Sequence, residues 1–190
     1  MFVHPLLDSV GYLRTELSAF AGAKLKCNVP SMSYSYSDLR NNDVMEHLAR
    51  AGIPVVFHTG VQEGARASDV LWFVEKTRGV VVLAHSARLR EADLKQLEGH
   101  GNVFIDVSPL ATMVACDLFV ERAMRPTPYA TVTVGGVLDY LYKAFGGERV
   151  LWGSDSPYCD NMLKCGFEEE LEVLSMMIEK DMHSKGNALG

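Results

Sequence analysis

Short apolar runs recur along this chain, and several of them end in a polar side chain. Phe2-Val3 is a stub closed by His4-Pro5. Ala23–Asn28 (AKLKCN), Pro54–Gly60 (PVVFHTG), Val80–Ser86 (VVVLAHS), Val103–Asp106 (VFID) and Val150–Gly153 (VLWG) follow in order. The Val80 run starts β-branched and wholly apolar, the pattern of a strand buried on both faces. Between these runs the apolar spacing changes to that of helices. Asp8 or Ser9 can cap a helix through about Phe20, with Leu13, Leu17 and Phe20 on one face. Asp43 opens Val44–Ala51, closed by Gly52, and Ser68 or Asp69 opens a helix through Thr77. Glu91–Glu98, Thr112–Ala123, Gly136–Phe145 and Phe167–Met182 complete the set, with a break at Pro126 and Pro128. Glu168, Glu169 and Glu170 in the first turn of the last helix suit the positive end of its dipole.

Strict strand–helix alternation predicts parallel strands joined by helical crossovers. Lys26 to His58 is 32 residues, His58 to His85 is 27 and His85 to Asp106 is 21. A full (β/α)8 barrel has about 250 residues, roughly 31 per unit. A chain of 190 residues therefore matches about six units, and six strands are counted. A six-stranded doubly wound sheet fits that count equally well. The position of the polar residues separates the two. A doubly wound sheet gathers its ligand groups at one switch point, often with a glycine-rich phosphate turn, and neither GxGxxG nor a P-loop occurs here. Single polar residues instead end several separate strands, which is the barrel pattern. The expected fold is α/β, a partial TIM (β/α)8-type barrel of about six parallel units in one domain, residues 1–190.

Composition narrows the function classes. Hydrophobic residues make up 48% and charged residues 22%, ordinary for a globular protein, and the length suffices for a sizeable core. A net charge of −6 without any basic run argues against nucleic acid as a partner. No apolar stretch reaches the ~18 residues needed to span a bilayer. The N-terminal MFVHPLLDSVGYLR lacks the charged and apolar regions of a signal peptide, so the expected location is cytoplasmic. Cys27, Cys116, Cys159 and Cys165 form no CxxC pair and read as free thiols, although Cys159 and Cys165 lie close enough in sequence to meet.

The candidate chemistry sits at the strand ends. Period-two alternation places Val56 with His58, Leu83 with His85, and Leu151 with Gly153 and Asp155. If those faces point into a barrel, His58, His85 and Asp155 converge above its core. Imidazole and carboxylate together suit zinc or a similar ion, which would acidify a bound water or polarise a carbonyl. A single histidine of this kind is more readily structural; three candidate ligands at equivalent strand ends favour a shared site. Lys24 and Lys26 share one face and read either as substrate-binding or metal-associated lysines, or as side chains that snorkel to solvent. Asp106 is expected to cap the turn that follows it. Tyr34 and Tyr36 are candidates for lining a pocket. His47 and His100 are expected to face solvent.

GIPVVFHTG, VVVLAHS, NVFIDVSP and RVLWGSDSP resemble, in order, strands five to eight of the amidohydrolase-related family, a branch of the metal-dependent amidohydrolase superfamily with the (β/α)8 fold. GAKLKCN resembles its fourth strand and GNALG a segment near its C-terminus. The resemblance implies that His58 and Asp155 are metal ligands. It implies that His85 is a ligand or a polarising acid/base, and that Asp155 also accepts a proton from the attacking water. Lys24 matches a lysine position of variable role. The implied activity is metal-dependent hydrolysis of a C–N or ester-type bond in a small-molecule substrate, with the lyase chemistry of related decarboxylases as the alternative.

The family's first strand carries a His-x-His pair, and none occurs in this sequence. FVHP looks like the third strand, so the resemblance implies an N-terminally truncated member lacking strands one and two. Six of eight strands would leave two open edges and exposed interior, which predicts a homo-oligomer or pairing through those edges. Metal affinity would be weak or absent, leaving an inactive fragment or assembly module as the other reading.

Overall fold

The computed structural model describes residues 1–27, 34–60, 63–115, 132–155 and 166–187. Its centre is a five-stranded, all-parallel sheet in sequence order: β1 (Ala23–Lys26), β2 (Val55–His58), β3 (Val81–Ala84), β4 (Val103–Asp106) and β5 (Val150–Leu151). Strands that run parallel in sequential order, each joined to the next through helical crossover segments, make an arc of a (β/α) barrel. The expected sixth strand at residues 2–3 is reduced to one parallel bridge, Phe2 to Lys24, on the free edge of β1. His4-Pro5 stops it there, because the proline has no N–H to offer a ladder.

The helices are α1 (Val10–Glu16), α2 (Asp43–Ala51), α3 (Leu71–Lys76), α4 (Glu91–Leu97), α5 (Leu110–Ala115), α6 (Val134–Phe145) and α7 (Phe167–Asn187). Their ends follow local chemistry. The Ser9 hydroxyl accepts from Tyr12 N–H at the start of α1. Asn42, rather than Asp43, caps α2 through Val44 and Met45 N–H, and Gly52 ends it at φ 65°. The region after α5 through residue 131, with Cys116, Pro126 and Pro128, lies outside the described residues, as do Cys159 and Cys165.

Strand register sorts the side chains into two faces. Leu25, Phe57, Leu83, Ile105 and Val150 are paired across the sheet, as are Ala23, Val55, Val81 and Val103 one level below. All are buried, in one core with Leu13, Met45, Leu48, Phe73, Leu94, Val137, Leu138 and Leu141 of the helices. The opposite face carries Lys24, Val56, Val82 and Phe104 in register, then Lys26, His58 and Ala84, with Asp106 ending β4. This is the inside of the arc. Val56 and Phe104 are half-buried and Leu151 is exposed there. Among the described residues no helix is long and apolar enough to cross a membrane.

Candidate active site at the strand ends

β2 ends in His58, held from behind. The Tyr36 hydroxyl lies 2.9 Å from the His58 carbonyl and 3.2 Å from that of Leu25, and the tyrosine ring is fully buried against Phe57. Tyr34 reaches the Lys26 carbonyl at 3.0 Å. The two tyrosines thus fasten the ends of β1 and β2 rather than standing as free pocket walls. Beyond β2, the Thr59 hydroxyl donates to the Ala84 carbonyl and ties β2 to β3.

His85 reaches the same place by another route. Alternation groups it with Leu83, but Leu83 is in register with Phe57 and faces the helices. Continued as a strand, β3 would send His85 to the same side. The strand ends at Ala84 instead, and His85, Ser86, Ala87, Arg88 and Leu89 all have φ between 50° and 61°. This left-handed turn of ordinary L-residues costs roughly 1–2 kcal/mol per residue. It re-aims His85 inward, beside His58. The expectation that Leu83 and His85 share a face is corrected accordingly.

The two rings meet edge to face, with His85 Nε2 2.9 Å from His58 Nδ1. His85 Nδ1 lies 2.8 Å from the Ser108 carbonyl, which only accepts, so this nitrogen carries the proton. Burial first, then the surrounding positive charges, lowers His85 to about 4; burial, His85 itself, Lys26, Arg88 and Lys24 lower His58 to about 2. Both rings are therefore neutral at pH 7. His85 Nε2 is then the acceptor, His58 Nδ1–H the donor, and His58 Nε2 the nitrogen with the remaining lone pair.

Asp155 follows β5 at φ 54°, a conformation aspartate tolerates better than most residues. Its Oδ2 lies 4.0 Å from His85 Nδ1, a neighbour of a neutral ring rather than its ion-pair partner. Gly153 lets the chain reach this point: a Cβ there would stand 2.8 Å from Asp106 Oδ1 and 3.0 Å from Ser108 Cβ. Asp106 accepts from Ser108 N–H at 2.8 Å, the turn-capping role expected of it. Burial pushes both carboxyl groups above the usual range; hydrogen bonding from Ser108 and then Lys24 oppose this at Asp106, and Lys24, Lys26 and Arg88 oppose it at Asp155.

The structure thus brings together His58, His85 and Asp155, with Lys24 and Lys26 on the same inner face. It adds Arg88, whose Nε donates to the Thr59 carbonyl at 3.1 Å. Nothing in the sequence pattern marks Arg88, because its position depends on the left-handed turn. His47 and His100, expected to face solvent, are half-buried and away from this cluster.

The donor chemistry suits a first-row metal only in part. Neutral imidazoles and a carboxylate are the right groups, but a structural or catalytic zinc takes at least three protein donors. His85 has one nitrogen committed to Ser108 and the other to His58, so it has none to give without turning its ring. Among the described residues no group of three His, Cys, Asp or Glu side chains is placed to hold an ion. The set of His58, His85 and Asp155 is therefore not assembled as one ligand shell.

A family model described as Amidohydrolase matches residues 12–172. No curated protein matches the chain. Among solved structures it is similar to an amidohydrolase from Burkholderia multivorans with bound zinc, at 17% identity and a TM-score of 0.61, covering 88% of this chain and 62% of that one. A second structure of an amidohydrolase from that organism, with bound HEPES, aligns at 15% identity and 0.61, over 90% and 61% of the two chains. A provisionally named 2-pyrone-4,6-dicarboxylic acid hydrolase from Pseudomonas putida aligns at 20% identity and 0.59, over 90% and 61%. These likenesses are of fold. The chain spans about three-fifths of the length of these structures.

Proposed function

The chain belongs to the amidohydrolase family, and from that premise we propose that its strand-end cluster serves hydrolysis of a C–N or ester-type bond in a small molecule. The observation that supports this is the meeting of His58, His85 and Asp155 from three separate strands at the end of the sheet where barrel active sites form. In the proposed reaction Asp155 accepts the proton of the attacking water. Its raised affinity for protons, caused by burial, suits a general base. His85, neutral and beside Asp155, would polarise the substrate carbonyl through its Nδ1–H once the ring turns away from the Ser108 carbonyl that holds it here. His58 fixes the His85 ring from the other side, and Lys24 and Lys26 bind the substrate.

A divalent ion, zinc in first place, belongs to the proposal with His58 and Asp155 among its ligands. When bound, such an ion would acidify a water. Zinc in the Burkholderia multivorans amidohydrolase supports this extension.

The test is a panel of lactones, esters and amides assayed with native chain, Asp155→Asn and His58→Ala, each with metal content measured after purification. The expected result is hydrolysis by the native chain that falls about 1,000-fold in kcat in Asp155→Asn, with the melting temperature held. Full activity in Asp155→Asn refutes the assignment. Stoichiometric zinc that is lost in His58→Ala supports the ion; native chain that stays metal-free under added zinc removes it from the reading.

A further inference from the structure

We propose that Glu170 is a positioning residue for His85: its carboxyl group fixes the turn that carries the Ser108 carbonyl, and thereby the ring nitrogen on which His85 keeps its proton. This inference rests on the hydrolase reading above and adds a residue to it.

Three glutamates open α7, and they differ. Glu168 and Glu169 are exposed, as partners of a helix dipole usually are, while Glu170 is fully buried. Its two carboxyl oxygens accept from different N–H groups, Oε2 from Ala111 at 3.3 Å and Oε1 from Thr112 at 3.0 Å. Both donors lie in the first turn of α5, where backbone N–H groups have no partner within the helix. Burial pushes the Glu170 carboxyl up, and the Thr112 and Ala111 N–H groups oppose this. An apolar side chain would join α7 to α5 without the cost of burying a carboxyl group. What the carboxyl adds is a fixed place for the backbone at Ala111 and Thr112.

That backbone leads to the site. Ser108 lies between β4 and α5, and its carbonyl accepts from His85 Nδ1–H at 2.8 Å. Asp106 holds the Ser108 N–H and Glu170 holds the helix that follows, so this carbonyl is fixed from both sides. The Glu170 backbone serves the other strand end. Its carbonyl accepts from Trp152 Nε1 at 2.8 Å, in the segment that runs from β5 to Asp155. One residue thus braces the segments carrying Ser108 and Asp155, the two neighbours of His85 Nδ1. Released from the Ser108 carbonyl, a neutral His85 is free to carry its proton on Nε2 instead, with His58 Nδ1 as the acceptor.

The ring-nitrogen NMR shifts of His85, measured beside kcat, KM and melting temperature, test this. The native ring should carry its proton on Nδ1. Glu170→Gln, with one oxygen for two N–H groups, should bring in the Nε2–H form and lower kcat about 10-fold, with KM within about threefold of native. Trp152→Phe frees the Glu170 carbonyl and should move the ring the same way by less; it decides the matter if Glu170→Gln does not fold. Asn42→Ala removes the cap of α2, far from the site, and should lower the melting temperature while leaving the tautomer native. A native ring protonated on Nε2, an unchanged tautomer in the deciding variant, or a tautomer shift in Asn42→Ala overturns the proposal. So does a shifted tautomer with unchanged kcat. The tautomer needs no substrate to be read, which separates the two readings. A shift on Glu170→Gln in a chain that hydrolyses nothing strikes the reaction and supports the brace. Hydrolysis with the tautomer native in Glu170→Gln strikes the brace alone.

Discussion

The two faces of the sheet obey different rules. On the helix side, Leu25, Phe57, Leu83, Ile105 and Val150 run in register and are buried without exception. On the inner side the matching row is Lys24, Val56, Val82 and Phe104, topped by Lys26, His58, Ala84 and Asp106. That face is partly open and carries two carboxyl groups and two ammonium groups, the latter without an ion pair among the described residues. The difference teaches where stability and chemistry reside. One face excludes water and holds the arc together. The other tolerates charge because most of its side chains are only partly buried, and it keeps its order through strand-end bonds from Tyr36, Thr59 and Ser108.

The same substitution on each face should break the comparison most sharply. Leu83→Ala, fully buried among helices, should cost about 3–5 kcal/mol in urea denaturation. Leu151→Ala, 37% exposed on the inner side, should cost under about 1 kcal/mol. Equal costs would mean that the inner face is packed as tightly as the outer.

Acid probes the inner face alone. His58 and His85 have folded-state affinities for protons well below that of a free imidazole, so unfolding takes up protons when the pH is below about 6.5. Their contribution is present above pH 6.5 and is lost as the pH falls, through about 4 for His85 and about 2 for His58. Metal-free protein should lose about 1.4 kcal/mol per pH unit for each proton taken up, and His58→Gln should reduce that slope. A slope unchanged in His58→Gln would show that the ring is not neutral and buried as described.

The smallest effects come as a pair of opposite sign. Gly52 ends α2 at φ 65°, and nothing lies within 4 Å of where an added methyl group would stand, so Gly52→Ala should cost about 1 kcal/mol through conformation alone. Ala87 holds φ 50° in the turn that aims His85, so Ala87→Gly should gain up to about 1 kcal/mol. Thermal melts of the two read the strain directly, and a destabilised Ala87→Gly would contradict the left-handed turn.

Much of this is legible in particular residues. The runs ending in His58 and Asp155 announce strand ends, since apolar strand interiors cannot carry such groups except at a mouth. Gly52 and Ser9 mark helix ends by chemistry that acts within a few residues. Val103–Asp106 appears as a strand with the same limits. His85 is reached for the wrong reason. Parity assigns it to the side of Leu83, which faces the helices, and only the turn at residues 85–89 brings it to His58. Ser86, Ala87, Arg88 and Leu89 have no local preference for positive φ, so neither that turn nor Arg88 is readable along the chain. The pocket role open to Tyr36 gives way to a structural one for a similar reason: its partners are carbonyls 11 and 22 residues away.

The sequence by itself determined the alternation of strands and helices, the parallel arc that follows from it, and the polar residue types at the strand ends. These depend on periodicity and on short-range capping, which neighbours in sequence suffice to establish. Only the tertiary structure decided that His58 and His85 share a proton and that His85 is thereby withheld from a three-ligand shell. The arrival of Arg88 at the Thr59 carbonyl belongs to that level too. Each of those facts needs atoms from different strands within a few ångströms, and a strained turn whose cost is borne by the packing around it.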